Sequence, residues 1–84
     1  MALSFRLVTP DRVLFDTTVT SVSLPTPEGM ITVLPHHVPL AGLLVPGIIR
    51  LHEAGGKEAE VAVSGGFMHV QRDGTVLALV DTAE

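Results

Sequence analysis

The stretch that decides the fold is residues 47–80, which reads GIIRLHEAGGKEAEVAVSGGFMHVQRDGTVLALV. Ile49 and Leu51 alternate with polar residues, which is the period of two expected of a strand with one buried face. An Asp-Gly dipeptide at 73–74 lies between two further apolar segments, and this dipeptide is a strong signal for a β-hairpin. The stretch therefore predicts four strands, at 47–53, 58–63, 67–71 and 75–80.

The rest of the chain continues this β pattern. Leu3, Phe5 and Leu7 alternate with polar residues, and turn-forming proline and glycine separate the later segments. Helical periodicity is not found over ten or more residues. Short strands at close spacing with frequent turn signals predict an antiparallel sandwich or barrel. We expect further strands at 3–7, 12–16, 18–24 and 31–33, in one domain that covers residues 1–84, with a bulge or bend at Gly65–Gly66.

One segment, residues 40–49, breaks the alternation because it is apolar at every position. It is shorter than the roughly 20 residues that a membrane span needs, and Pro46 and Gly47 interrupt it. A strand of a small sandwich has one core-facing side, so an extended run would present apolar side chains outward as well. The alternative is a loop folded over the open end of the sandwich. The mean hydropathy of +0.49 favours the extended strand over the loop. The outward apolar side chains of such a strand would then be covered by a partner.

The amino-acid composition indicates which class of binding partner and which cellular compartment fit this chain. The net charge of −4 comes from nine acidic and five scattered basic residues, and Trp and Tyr are absent, which argues against nucleic acid as a partner. The absence of cysteine excludes a disulfide framework and thiolate metal sites, and it fits a reducing compartment. The first residues lack the basic and apolar regions of a signal peptide.

The residues that could carry chemistry do not form a recognisable catalytic or metal-binding pattern. His36 and His37 are adjacent, so on an extended backbone they point to opposite faces. His52 and His69 occupy polar positions of separate strands, where we expect solvated side chains. Ser64 precedes two glycines but lacks the first glycine of a nucleophile turn. The sequence predicts a binding module with no catalytic residue, metal, cofactor or small-molecule substrate.

A series of short motifs runs along the chain: LVTPD at 7–11, VLF at 13–15, VSLP at 22–25, EG at 28–29, VLPHHVPL at 33–40, PGIIR at 46–50, VSGGF at 63–67 and DTA at 81–83. In this order the motifs resemble the N-terminal domain of the epsilon subunit of F-type ATP synthases, over essentially the whole chain. The resemblance implies an all-β fold, a flattened antiparallel β-sandwich of about ten short strands in two sheets.

The resemblance also implies a function and two partners. Members of the family are non-catalytic rotor subunits of the central stalk that couple the gamma subunit to the membrane c-ring, without nucleic acid or cofactor. They are peripheral to the membrane through the complex, and a bacterial inner membrane, at its cytoplasmic face, fits better than a plastid thylakoid. Carried over to this chain, the c-ring side is Glu28, Gly29 and Met30, and the gamma side or its junction is Thr9, Pro35, His37, Pro39, Leu40, Leu43 and Leu44.

Three departures from the family pattern affect the mechanism. Met30 stands where relatives usually carry an acidic residue, which favours an apolar contact with the ring. His36 stands where glycine is common. The C-terminal helical hairpin of relatives, which restrains ATP hydrolysis, has no counterpart in these 84 residues, so we expect coupling without inhibition by such an arm. The alternatives are a free-standing β-sandwich adaptor or carbohydrate-binding module, or a small hydrolase that uses Ser64.

Overall fold

The computed structural model describes residues 3–36 and 39–83, and these residues form β-strands with no helix. The all-β prediction is confirmed. The domain measures 29 × 23 × 20 Å. The eight strands are β1 Leu3–Val8, β2 Val13–Thr26, β3 Gly29–Val33, β4 Leu40–Leu44, β5 Gly47–Glu53, β6 Glu58–Val63, β7 Gly66–Val70 and β8 Thr75–Val80.

The strands are connected by hydrogen bonds in the order β4-β7-β8-β1-β2-β5-β6, with β3 paired to β2. All pairings are antiparallel except that of β1 with β8, which is parallel. The hydrogen-bonded path is therefore continuous instead of being divided into two sheets. The two halves of the sandwich share β2, because its first half pairs with β1 and its second half with β3 and β5.

The long strand β2 replaces the two shorter strands expected at 12–16 and 18–24. The register of its pairing with β5 shifts between Val19 and Ser21, which marks a bulge. Val19 and Val22 are both buried although three positions separate them. The bulge thus changes which side of the strand faces the core, and the chain continues without a turn.

The core is a single cluster of aliphatic side chains with Phe5 fully buried, and it contains no buried polar side chain among the described residues. Burying one such side chain stabilises the fold by about 1.5–3 kcal/mol. The alternation expected of β1 is confirmed, since Leu3, Phe5 and Leu7 are buried and the residues between them are exposed. Every layer of the sandwich contributes to this cluster, so the outer faces are positioned by one rigid interior.

The turns agree with the glycine and aspartate signals of the sequence. The hairpin between β7 and β8 is closed by a hydrogen bond that the Gln71 amide donates to the Thr75 carbonyl oxygen, 2.8 Å away. The Thr75 amide donates to Asp73 Oδ1 at 3.0 Å. Gly65, in the bend between β6 and β7, has a φ of 111°, which confirms the need for glycine there.

The apolar run at 40–49 forms β4 and the beginning of β5, and it is not a loop over the end of the sandwich. Its side chains alternate between the two sides of the sheet. Leu44 and Ile49 are buried in the core, whereas Leu43 and Ile48 are exposed. Both sides of the run are thus apolar, as the sequence predicted for an extended segment.

Candidate functional site

A continuous row of apolar side chains crosses the outer face of β4, β7, β8, β1 and β2. Leu43 is opposite Phe67, and Phe67 is opposite Leu79. Leu79 is beside Val8, which in turn pairs with Val13. Directly paired residues project from the same face of a sheet, so one side chain from each of the five strands contributes to the row. We call these five residues the apolar stripe.

The apolar stripe is accessible to solvent along most of its length. Phe67 is 61% exposed, Leu43 54% and Leu79 46%. A small soluble domain rarely leaves neighbouring large apolar side chains exposed unless a partner covers them. Phe67 lies between Leu43 and Leu79, and aromatic side chains are enriched in the cores of protein interfaces. This arrangement can bind an apolar protein surface.

A groove of about 490 Å³ lies along the stripe near the start of β7 and the end of β8. Thr9 and Pro10 line it together with Phe67 and Leu79. Thr9 is held in place because its amide and its hydroxyl both donate to the carbonyl oxygen of Arg12, at 2.9 Å and 3.2 Å. The loop after β1 therefore forms a fixed wall of the groove.

A second groove, of about 460 Å³, lies between β4 and the turn that joins β2 to β3. Its walls are largely apolar, and one carboxylate, that of Glu28, is on its border. Leu43 belongs to the apolar stripe and also lines this groove. We call it the Glu28 groove; its lining residues are Thr26, Pro27, Glu28, Ile31, Leu40, Ala41, Gly42, Leu43 and Met68.

The outer face of β5 and β6 differs in character from the stripe, because contacts between basic and acidic side chains cross it. Arg50 Nε lies 2.9 Å from Glu60 Oε2, and His52 Nδ1 lies 3.1 Å from Glu58 Oε1. All four side chains are solvent-exposed, so the pairs contribute little to stability. Apart from the paired Ile48 and Ala62 at one end, this face is polar, and the apolar stripe lies on the other half of the sandwich.

The residues considered for catalysis lie in ordinary structural settings. The prediction of solvated His52 and His69 side chains is confirmed, since both are exposed. The Ser64 hydroxyl accepts a hydrogen bond from the Thr82 amide at 3.1 Å and lies 3.4 Å from the Thr82 carbonyl oxygen. Within residues 3–36 and 39–83, no cluster of three or more His, Cys, Asp or Glu side chains could bind a metal ion. The same residues contain no helix that could span a membrane.

The sequence matches the family model for the β-sandwich domain of the ATP synthase delta/epsilon chain over residues 2–84. The chain belongs to this family. The ATP synthase epsilon chain of Desulforamulus reducens is 42% identical over 78 residues, which are 93% of this chain and 58% of the relative. That of Prochlorococcus marinus is 36% identical over 84 residues, which are 100% of this chain and 61% of the relative. That of Rhizobium rhizogenes is 38% identical over 74 residues, or 88% of this chain and 55% of the relative.

Solved structures agree with this membership. A chain in the structure of the Euglena gracilis mitochondrial ATP synthase, OSCP/F1/c-ring, superposes with a TM-score of 0.93 at 30% identity, covering 99% of this chain and 52% of that chain. A chain in the Tetrahymena thermophila mitochondrial ATP synthase central stalk/c-ring has a TM-score of 0.81 at 19% identity, covering 100% of this chain and 66% of that chain, and it supports the fold alone. The present chain spans only about 55–61% of the length of these three epsilon chains.

The epsilon-family residues predicted to meet the c-ring lie at one turn. Glu28, Gly29 and Met30 are all exposed, Glu28 in the turn between β2 and β3 and the other two at the start of β3. Gly29 has a φ of 115°, which favours glycine, and its carbonyl oxygen accepts a hydrogen bond from the Thr26 hydroxyl at 2.6 Å. The turn is thus a fixed, accessible element, and its contact with a ring stays a prediction.

The residues predicted for the gamma side are brought together only in part. Leu40 is half-buried in the Glu28 groove, Pro35 is half-buried and Pro39 is exposed. Thr9 lines the other groove, the one along the apolar stripe. Phe67 and Leu79 lie between Thr9 and the Glu28 groove. His37 lies outside the described residues.

One predicted contact residue requires correction. Leu44 is only 5% exposed and packs in the core, so its side chain does not face a partner. Alternation along β4 is the physical reason, because Leu43 and its neighbour Leu44 point to opposite sides of the strand. Leu43 remains in the proposed contact surface, and Leu44 supports that surface from the inside.

The sequence interpretation missed Phe67, Leu79, Val8 and Val13, which complete the apolar stripe. The sequence did indicate that Phe67 is exposed. Phe67 and His69 are two residues apart, so they lie on the same face of the strand, and His69 was expected to be solvated. The adjacent Met68 is buried, as this phase requires. For Leu79 no such signal existed, because 76–80 is apolar at every position.

Proposed function

We propose that this domain is a non-catalytic part of the central-stalk rotor of an ATP synthase and couples the gamma subunit to the membrane c-ring. The apolar stripe is the observation that carries the proposal. It gives a small, otherwise well-packed domain a broad apolar face that a protein partner would cover. We assign this face, with Thr9 and Leu43 at its borders, to the gamma subunit.

The proposed contact with the c-ring uses the turn at 28–30. Met30 is 54% exposed and stands where relatives usually carry an acidic residue, which supports an apolar contact with the ring at this position. The turn lies beside β4, so the ring surface and the gamma surface adjoin at Leu40 and Leu43. One rigid element would then contact both partners.

The β architecture suits the transmission of torque. Seven strand pairings cross-link the backbone, and the core has no buried polar side chain within the described ranges. A domain of this kind opens locally only at a free-energy cost, so load applied at one face is transmitted to the other without slipping. In this proposal the domain is peripheral to the membrane through the complex, at the cytoplasmic face of a bacterial inner membrane.

Charging the stripe tests the gamma contact. We expect the chain and the gamma subunit of the same organism to form a one-to-one complex in size-exclusion chromatography with light scattering. Leu43→Asp and Phe67→Asp should each weaken its Kd about 30-fold or more, the effect of losing an interface hot spot. Both side chains are over half exposed, so the variants should remain folded.

Ala62→Asp is the matched control, because Ala62 is an exposed strand residue on the half of the sandwich that lacks the stripe. It should bind gamma with unchanged affinity. Normal gamma affinity in both stripe variants would reject the assignment of the stripe. A wild-type chain that stays monomeric beside folded gamma would reject the rotor role and favour a free-standing adaptor.

The prediction of coupling without inhibition concerns these 84 residues. The β-sandwich alone offers no arm that could extend along gamma, so adding the chain to a catalytic complex stripped of its epsilon subunit should leave ATP hydrolysis uninhibited. Strong, reversible inhibition in a steady-state hydrolysis assay would contradict this expectation.

A further inference from the structure

We propose that the bond between Asp73 and Gly74 is the site at which this chain converts aspartate to isoaspartate, and that the fold suppresses the conversion while the hairpin between β7 and β8 is closed. The site is independent of the proposed function, because it belongs to the backbone of the chain itself. The observations that carry it are the hydrogen bonds of the turn at 71–75 and the contact of that turn with β1.

The conversion requires only the chain and water. The amide nitrogen of Gly74 attacks the side-chain carboxyl carbon of Asp73, one carboxyl oxygen leaves as water, and the nitrogen loses its proton. The product is a cyclic succinimide. Water then opens the ring at either of its two carbonyl carbons. One opening returns aspartate, and the other leaves the main chain running through the side-chain carbonyl, as isoaspartate. One water is released and one is taken up, so no oxidant, reductant or cofactor takes part.

The sequence makes this bond the most reactive of its kind in the chain. There is no asparagine, and only one of the aspartates, Asp73, precedes a glycine. Glycine has no Cβ, so its amide nitrogen is unshielded and its backbone turns freely. Asp11, Asp16 and Asp81 precede arginine or threonine, whose side chains hinder the attack. In the unfolded chain, isoaspartate should therefore form first at residue 73.

In the folded chain, hydrogen bonds hold both reacting groups. The Gly74 amide donates to the Gln71 carbonyl oxygen at 3.1 Å, so the nitrogen that must attack is engaged elsewhere. The Thr75 amide donates to Asp73 Oδ1 at 3.0 Å, which fixes the carboxylate. The Gln71 amide closes the loop by donating to the Thr75 carbonyl oxygen at 2.8 Å. The nitrogen reaches the carboxyl carbon only after at least the first two of these bonds open.

The same turn explains why the reactive dipeptide is needed. Gly74 has a φ of 92°, in the left-handed region that favours glycine. A hairpin loop of three residues commonly ends on such a residue. Glycine at this position thus closes the hairpin and also makes the bond before it reactive, so the hydrogen bonds of the turn have to keep the nitrogen and the carboxyl group apart.

The turn is anchored to a strand that is distant in the sequence. The Ser4 amide of β1 donates to the Gly74 carbonyl oxygen at 3.1 Å. β1 lies between β8 and β2, so the anchor is in the interior of the sheet and not at an edge. A turn held only by local bonds opens at little free-energy cost, whereas this one opens fully only when the beginning of β1 is released as well.

Conversion at residue 73 should damage the arrangement of the outer face. Isoaspartate adds a methylene group to the main chain of the loop, and the length of a hairpin loop fixes the register of the strands that it joins. Phe67 is opposite Leu79 through this register. Protection of the turn therefore preserves the apolar stripe, and a modified chain should have a lower thermal midpoint than the unmodified chain.

The test compares conversion in the folded and in the unfolded chain. The 84-residue chain is incubated at neutral pH in buffer and in concentrated urea, and isoaspartate is measured by liquid chromatography and mass spectrometry of a proteolytic digest. A peptide of residues 71–76, measured in both solutions, corrects for the effect of urea on the reaction. In urea, isoaspartate should appear at residue 73 before residues 11, 16 and 81. The folded chain should convert about 30-fold or more slowly, the effect of two hydrogen bonds that must open first.

Two variants of one exposed residue test the anchor. Ser4→Pro removes the N–H that holds the Gly74 carbonyl and should speed conversion in the folded chain about fivefold, the effect of one lost hydrogen bond. Ser4→Ala keeps this N–H and is the matched control, which should convert as slowly as the wild type. In urea all three chains should convert at the same rate. Circular dichroism establishes that each variant is folded in buffer.

Separate outcomes reject the site and the protection. The site is rejected if residue 73 is not preferred in urea. Protection by the fold is rejected if the folded wild type converts within about threefold of the unfolded chain. Equal rates in folded Ser4→Pro and wild type reject the role of β1. If Ser4→Pro does not fold, hydrogen exchange of the wild-type Gly74 amide decides, because slow exchange is expected there and exchange at the rate of the peptide overturns the protection.

Discussion

Replacing Gly66 by alanine should open the pairing of β7 with β8 and thereby displace Phe67 from the apolar stripe. An ideal Cβ at Gly66 would lie 2.0 Å from the Leu79 carbonyl oxygen and 3.0 Å from the Val80 Cα. Both obstacles are backbone atoms of the strand that Gly66 pairs with, so no side-chain rotation relieves the overlap. Because carbon contacts are optimal at about 3.5–4.0 Å, the strands must separate by about 1.5 Å.

The cost of this separation follows from what it breaks. Two backbone hydrogen bonds at the start of the pairing would be lost, at about 1 kcal/mol each, and the loosened packing adds about 1 kcal/mol or more. The sum, about 3 kcal/mol, is a large part of the roughly 4–13 kcal/mol expected for a domain of this length. It corresponds to a fall in Tm of about 12–24 °C.

Urea unfolding followed by far-ultraviolet circular dichroism measures this loss in a chain without tryptophan. Gly42→Ala is the matched control, since Gly42 is in β4 beside the same strand β7 and a Cβ there meets nothing within 4 Å. We expect Gly42→Ala to leave the free energy of unfolding unchanged or to raise it by about 0.5–1 kcal/mol. The reasoning is refuted if the free energies of unfolding of the two variants, obtained from urea titrations, differ by less than about 1 kcal/mol.

Two further predictions concern single residues outside the stripe. His36 has a φ of 68°, a backbone conformation that costs a residue with a side chain about 1–2 kcal/mol. His36→Gly should therefore raise the free energy of unfolding by about 0.5–1 kcal/mol, once the greater backbone entropy of glycine in the unfolded chain is subtracted. An unchanged thermal midpoint would contradict this. Ser64→Ala removes the hydroxyl that accepts from the Thr82 amide and should destabilise by about 1 kcal/mol, with faster hydrogen exchange at Thr82; unchanged exchange there would show that the bond is dispensable.

The local pattern of the sequence predicted the strands well where one face is polar. β1, β5 and β6 agree with the expected 3–7, 47–53 and 58–63 to within one residue, because each alternates between apolar and polar side chains. β4 was missed as a definite strand since its residues are apolar on both sides and no Asp-Gly turn adjoins it. β8 is equally apolar at 76–80, but the Asp-Gly turn before it marks its start, and its expected bounds of 75–80 are confirmed. β2 was divided in two because a bulge preserves the backbone direction while it shifts the phase.

The candidate site depended on information that the local pattern does not contain. Leu43, Phe67 and Leu79 are 12 or more residues apart along the chain, and they become neighbours only through the pairings of β4 with β7 and of β7 with β8. The parallel pairing of β1 with β8 then brings Val8 to the same row. The alternation of apolar and polar residues along one strand predicts which side chains point outward. The order of the strands in the sheet determines which of these outward side chains become neighbours.

The strand order also explains why two different contacts can meet at one residue. Leu43 is on the edge strand β4, so on one side it adjoins Phe67 of the apolar stripe and on the other it borders the Glu28 groove. An apolar face and a groove with a single carboxylate suit partners of different chemistry. Because the backbone that carries Leu43 is hydrogen-bonded to β7 and packed through Leu44 into the core, a force applied at the groove reaches the stripe through a packed interior. The coupling role that we propose for the domain requires this property, and a surface loop in the place of β4 would lack it.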